Sequence, residues 1–117
     1  MNQFSETVDI SPTDDGFVSV SVHRRYDSGI SYRSVLFFQP GDSAQIADAF
    51  DRFVADRTEQ SVDLADGRLR LFGQEPGIML NIELHRDQNL AHGGYDTMDL
   101  APDSVATVSK GLRTYAR

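Results

Sequence analysis

Two stretches far apart in the chain, LFFQPGDSAQIADAF at residues 36–50 and TMDLAPDSVATVSKGL at residues 97–112, share one layout: strand, proline, Asp-Ser, then apolar residues at helical spacing. Proline leaves a strand ladder without a donor but suits a first helical turn, and Asp or Ser can accept hydrogen bonds from free helix amides. Each stretch therefore commits the chain to a strand-to-helix turn. Together they predict an α+β domain in which two strand-strand-helix halves face each other, with antiparallel strands and two packed helices. The plainer reading of the likeness is that strand-to-helix turns use Pro, Asp and Ser for capping alone.

The intervening pattern fills in the strands. Val18, Val20 and Val22 alternate with Ser19 and Ser21, the period of two expected for a strand over Phe17 to His23 with one buried face. Asp27, Ser28 and Gly29 supply a turn, and Ile30 to Phe38 returns as the hairpin partner. That second strand carries Tyr32, Leu36 and Phe38 on one side and Val35 and Phe37 on the other, which predicts a central position or a cover on both faces. In the helix that follows, Asp42 or Ser43 is the N-cap, Ile46, Phe50, Phe53 and Val54 form the apolar stripe, and Asp48 pairs with Arg52 across one turn. Asp66 and Gly67 mark a tight hairpin, with Leu69 and Leu71 facing inward together. Pro76 and Gly77 turn the chain into a strand with Ile78, Leu80, Ile82 and Leu84 inward and Met79, Asn81, Glu83 and His85 outward. A polar loop over Asp87 to Gly94 leads to a strand from Tyr95 to Leu100, then to a last helix whose Val105, Val108, Leu112 and Tyr115 pack on the sheet.

Size and charge limit the function. A chain of 117 residues predicts one domain over 1–117 with a core that needs no staples, and the absence of cysteine excludes disulfides and thiol chemistry. The start MNQFSETVDISPTDDG has no basic region followed by an apolar run, and no stretch is apolar enough to span a bilayer, so cytoplasm without membrane insertion is the expectation. Eighteen Asp and Glu against eleven Lys and Arg give a net charge of −7, which repels phosphate backbones and argues against nucleic acid as a partner.

Catalytic patterns are wanting: the sequence has no Gly-rich phosphate loop, no nucleophile elbow and no His-Glu-x-x-His. His85, Asp87 and His92 could line one loop and hold a divalent ion, but outward-facing strand and loop histidines are commoner. Asp14 with Asp15, and Asp63 with Asp66, read as turn and solubility carboxylates in preference to an acid-base pair. The expectation is a protein without catalytic activity, cofactor or metal. Tyr26, Tyr32, Phe37 and Phe38 could stack bases, yet Arg24, Arg25 and Arg33 are the basic residues interleaved with them, so a core or subunit interface explains these aromatics better.

One ordered set of residues resembles a known family. Arg25, Tyr26 and Asp27 form an RYD triplet, followed by Tyr32, by Phe38 and Gly41 as Phe-x-x-Gly, and by Phe50 and Arg52 as Phe-x-Arg. The segment Gly67 to Phe72 and the apolar strand Gly77 to Leu84 extend the likeness, so that it covers roughly residues 23 to 113. This order resembles the SsgA-like proteins of actinomycete sporulation and cell division. Family members usually carry tryptophans where Asp48 and Phe72 stand here, and a longer C-terminal extension, which marks a divergent member. The resemblance implies a Whirly-like fold without a basic surface and a self-associating, non-catalytic cytoplasmic adaptor at division septa that recruits the tubulin-like protein FtsZ. Arg25, Tyr26, Asp27, Tyr32, Phe38 and Arg52 are its candidate protein-interaction residues.

Two other functions fit the same composition. One is a small acidic phage or immunity-type inhibitor acting by protein binding; the other is a single-stranded nucleic-acid-binding module of Whirly or PC4-like fold. The arrangement of charge separates them: acids gathered on one face favour mimicry, a basic groove across the sheet favours nucleic acid, and a mixed surface with an apolar patch favours protein assembly.

Overall fold

The inward-facing valines at 18, 20 and 22 sit in the middle strand of three, and this placement organises the first half of the chain. A computed structural model describes residues 3–73 and 79–116. Strands β1 (Phe4–Pro12), β2 (Val18–Tyr26) and β3 (Ser31–Phe38) form one antiparallel sheet in chain order. A 3₁₀ turn over Pro40–Asp42 leads into α1 (Ser43–Asp56). Strands β4 (Gln60–Leu64), β5 (Gly67–Phe72), β6 (Leu80–Arg86) and β7 (Gly94–Leu100) form a second antiparallel sheet, again in chain order. A second 3₁₀ turn, Pro102–Ser104, leads into α2 (Val105–Thr114).

The class is therefore α+β, with two antiparallel sheets and two helices packed on each other. The halves are richer than strand-strand-helix: among the described residues three strands precede α1, and four lie between α1 and α2. The added strand β1 escapes an apolar-alternation search because its inward side reads Phe4, Glu6, Val8, Ile10, and a carboxylate interrupts it. A single sequence offset relates Val18 to Leu80, Val20 to Ile82, Val22 to Leu84, Arg24 to Arg86, Phe38 to Leu100, Pro40 to Pro102 and Phe50 to Leu112. The likeness thus extends well beyond the capping turns.

Both inner faces share one core. Val18, Val20, Val22, Leu36 and Phe38 meet Leu69, Leu71, Leu80, Ile82, Leu84, Met98 and Leu100, under Ile46, Phe50 and Phe53 of α1 and Val105, Val108 and Leu112 of α2. Each such side chain contributes roughly 1.5–3 kcal/mol by leaving water. Helix α2 lies against β1 because Gly111 has no side chain: a Cβ there would stand 2.3 Å from Ile10 Cδ1. The sheets meet along β3 and β7, where the Asp99 N–H donates to Tyr32 Oη (3.0 Å) and Ser34 Oγ donates to the Thr97 carbonyl (3.1 Å).

Several local expectations change. Strand β3 is an edge strand whose outer face is open, since Val35 is 41 % exposed. Val54 is 47 % exposed, and Ala47 and Ala49 take the buried positions instead. Asp48 does not pair with Arg52; α2 brings Arg113 to Asp48 (2.8 Å) and Asp51, and Arg52 donates to Gln60 (3.2 Å). The hairpin turns on Ala65 and Asp66, because Leu64 pairs with Gly67. Gly67 is needed for closeness, since a Cβ would fall 1.9 Å from the His85 carbonyl oxygen. Neither Asp42 nor Ser43 makes the expected side-chain cap bond; the 3₁₀ turn intervenes and draws Asp42 inward. The expected turn at Pro76 and Gly77, with Ile78, lies outside the described residues.

Two buried ion pairs bind the halves together. On β2 and β6 the inward alternation ends in an arginine, Arg24 and Arg86. Arg24 Nε (2.8 Å) and Nη2 (2.7 Å) reach Glu6 Oε1, with side-chain exposures of 3 % and 4 %. Burial opposes the Arg24 charge, but hydrogen bonds to Glu6 and Tyr26 outweigh it and raise the guanidinium's pKa. Glu6 Oε2 also accepts the Ala101 N–H (2.9 Å) and the Ser104 hydroxyl, at the junction that starts α2. Reciprocally, Arg86 Nε donates to Asp66 (3.3 Å), and Asp66 accepts from Gln39 (3.0 Å), at the junction that starts α1. Asp42, buried beside Asp66 and Arg86, has its pKa raised by burial and by the Asp66 charge, against the pull of the Ala65 N–H and Arg86.

Removing one member of a buried pair strands the other. Arg24→Met is expected to lower unfolding free energy by about 3–5 kcal/mol in urea titrations. Adding Glu6→Met should recover much of this, leaving about 1–3 kcal/mol for the orphaned Ala101 N–H. A carboxyl whose pKa is higher folded than unfolded binds its proton more tightly when folded, so its ionisation costs stability as pH rises through that window. Asp42→Asn is therefore expected to raise Tm at neutral pH, with the gain shrinking as the pH falls into the carboxylate range.

Candidate functional site

With valines and Arg24 turned inward, period-two alternation sends Ser19, Ser21, His23 and Arg25 of β2 to the outer face of the first sheet. Register then sets the neighbours. Across β1, β2 and β3 the outward rows are Ser5, Arg25 and Ser31; Thr7, His23 and Arg33; Asp9, Ser21 and Val35; and Ser11, Ser19 and Phe37. Six of these twelve residues are serine or threonine, and their small side chains leave an open trough of about 500 Å³. Thr7, Asp9, Ser21, His23, Arg33 and Val35 line it.

Charge on this face is uneven. Arg25 and Arg33 stand on neighbouring strands one row apart, with His23 beside Arg33. Among the described residues neither arginine has an ion-pair partner. Asp9 is the carboxylate of the face and sits on the β1 side. Elsewhere several acids are matched: Glu59 and Glu83 to Arg70, Asp63 to Arg68, Asp48 and Asp51 to Arg113. Arg113 holds the Asp51 carboxyl below its usual range. Among the described residues the acids are distributed over α1, both sheets and the loops.

A clasp lies at the Phe37 end. The His92 ring stacks on Phe37 (centroids 3.8 Å, 13° between planes) and meets the edge of Phe17 at 4.8 Å. His92 Nε2 lies 2.9 Å from Asp15 Oδ2, and Asp15 also accepts from the Thr13 hydroxyl. His92 reaches this position from left-handed backbone, φ 56°. The Thr13 hydroxyl and then His92 hold the Asp15 carboxyl below its usual range. Asp15 is thus a partner of the β6–β7 loop and not merely a turn carboxylate.

The six residues marked by sequence do not converge. Arg25 is exposed on the trough face. Tyr26 turns inward onto Phe4 (5.5 Å between centroids) and accepts from Arg24 Nη1 (3.4 Å). Asp27 is exposed in the turn, its N–H donating to the Gln3 carbonyl (3.0 Å). The Tyr32 ring lies under the Arg24 guanidinium at 4.7 Å, and Phe38 is core. Arg52 is exposed on α1. The structure thus gathers Tyr26 and Tyr32 around Arg24 and leaves Arg25, Asp27, Phe38 and Arg52 in separate settings. His23 and Arg33 were missed as a site; the signal was the alternation of the valine strand carried two residues further, which puts Arg24 inside and Arg25 outside.

The aromatics resolve in the same way. Tyr26, Tyr32 and Phe38 belong to the inner side, and Phe37 is covered by His92. His85 approaches Tyr95 (4.5 Å) and Glu83 (4.0 Å), while Asp87 accepts from the Asn89 N–H (3.0 Å). Among the described residues no group of three or more His, Asp or Glu could hold a metal ion, and no helix is long and apolar enough to cross a membrane. No protein-family model matches the chain, and no curated protein does.

A carboxyl with a lowered folded pKa stabilises above its unfolded pKa and loses that contribution as pH falls through the folded value. Asp15→Asn is accordingly expected to lower Tm at neutral pH. The difference from the unmodified chain should close on acidification below about pH 4, the ordinary carboxylate range, when followed by thermal melts.

Proposed function

We propose that this chain is a non-catalytic adaptor that receives a protein partner on the outer face of its first sheet. The observation that carries the reading is the trough and its rim: His23 and Arg33 line it with Thr7, Ser21 and exposed Val35, and Arg25 stands one row beyond, neither arginine having an ion-pair partner among the described residues. Such a surface offers protein assembly arginine anchors of the kind that carry interface affinity, with small neighbours that leave room for a partner. Two arrangements weigh against the other readings. Base stacking needs open aromatic faces, and Tyr26, Tyr32 and Phe37 of the first sheet are inward or covered. Nucleic-acid mimicry needs unmatched acids on one face, and among the described residues the acids lie on several elements and are partly matched by arginines.

The resemblance to SsgA-like proteins supplies the first partner to try and the setting: a self-associating cytoplasmic protein that recruits FtsZ to division septa, on a Whirly-like frame of two sheets and two helices. The α+β architecture with paired halves is compatible with that frame. The expected outcome is co-sedimentation with FtsZ polymer, lost in Arg33→Glu without a change in Tm. A protein that stays in the supernatant under conditions where FtsZ polymerises would overturn FtsZ as the partner.

A further inference from the structure

Resting on the reading of this face as the partner-binding surface, we propose that the trough recognises an extended, acidic peptide segment in which two carboxylates and an apolar side chain alternate with neutral residues. Charge complementarity comes first. In a chain of net charge −7, the face places Arg25, His23 and Arg33 together, and both arginines lack an ion-pair partner among the described residues. A guanidinium offers a planar fork that matches a carboxylate in a bidentate way, so each arginine selects an acidic side chain.

Spacing gives the order. Arg33 and Val35 lie two residues apart on one strand and face the same way, roughly 6–7 Å, the repeat of an extended chain. Arg25 lies one row beyond Arg33 in the opposite direction, so an extended segment laid along β3 meets Arg25, Arg33 and Val35 at alternate residues. The matching pattern is acidic-x-acidic-x-apolar. Ser31, paired with Arg25, and Ser21, paired with Val35, provide hydroxyls beside these anchors for the segment's polar groups. Asp9, across the sheet on β1, repels a displaced acidic chain and fixes the segment to the β2–β3 side.

The charged face does not favour nucleic acid equally. Phosphates would meet the arginines, but the trough lining offers a base no Phe, Tyr or Trp ring, only the half-buried His23 imidazole, and the protein's overall field repels a polyanion.

The test is fluorescence anisotropy on the full chain with three labelled probes: a peptide of sequence type Ser-Glu-Ser-Glu-Ser-Val-Ser, its Gln-for-Glu counterpart, and an oligo-dT strand. The acidic peptide should bind in a salt-dependent manner, with the Gln peptide and the Arg33→Glu or Arg25→Glu variants about tenfold or more weaker. Arg68→Glu, on the second sheet, should bind as the unmodified chain does, and unchanged melting curves exclude unfolding as the cause. Equal binding of Gln and Glu peptides, or no binding of either up to about 1 mM, overturns the proposal. Preferential oligo-dT binding abolished by Arg33→Glu overturns it too and assigns the trough to nucleic acid. Acidic-peptide binding without FtsZ co-sedimentation upholds the proposal while removing FtsZ as the partner. FtsZ co-sedimentation indifferent to Arg33→Glu, with no acidic-peptide binding, does the reverse.

Discussion

A guanidinium and a carboxylate, both all but removed from water, hold the first sheet to the start of the last helix. Burying such ions costs several kcal/mol each, which is offset only if their remaining hydrogen-bonding positions are filled. Around Arg24 they are filled: Glu6 takes Nε and Nη2, the Asp99 carbonyl accepts from Nη2 at 3.0 Å, and Phe4 and Tyr32 flank the plane. The other oxygen of Glu6 serves Ala101 and Ser104. The pair therefore acts as a register pin more than as a source of stability, because slipping β2 by one residue would carry Arg24 outward with every valine. Arg86 repeats the device less completely. Its Nε reaches Asp66, but both terminal nitrogens lack hydrogen-bond partners among the described residues, and Phe17 covers the guanidinium at 5.5 Å.

The outer face inherits its chemistry from this pin. Once Arg24 is fixed inside, Arg25 and His23 have no choice but to face outward, and the hairpin register sets Arg33 beside His23. Recognition chemistry on the trough is thus the complement of the core pattern, written into the same nine residues of β2.

Much of this was legible in the chain. The alternation of Val18, Val20 and Val22, that of Leu80, Ile82 and Leu84, and the paired Pro-Asp-Ser turns specify strands, helices and their order through local chemistry. What escaped depends on partners distant in sequence. Strand β1 hid because Glu6 breaks its apolar face, and Glu6 makes sense only beside Arg24. Asp48 found Arg113 in α2 in place of Arg52 on its own helix, and Asp42 was drawn inward where a surface cap was expected. The RYD triplet shows the same limit: three adjacent residues look like one site, yet strand alternation sends Arg25 and Tyr26 to opposite faces.

The reciprocal staples also bear on how the chain comes to be folded. Glu6 and Ser104 lie near opposite ends of the described residues, and the contact between them joins the first strand to the turn before the last helix. Loop closure over such a separation has to be met before burial of the pair offers any return, which favours slow, non-local assembly over stepwise addition of elements. During synthesis the first sheet can form its hairpins early, but Glu6 keeps an unmatched acceptor until Ala101 and Ser104 have emerged. Completion of the native state is then coupled to the arrival of the C-terminal helix, and neither half is a finished folding unit by itself.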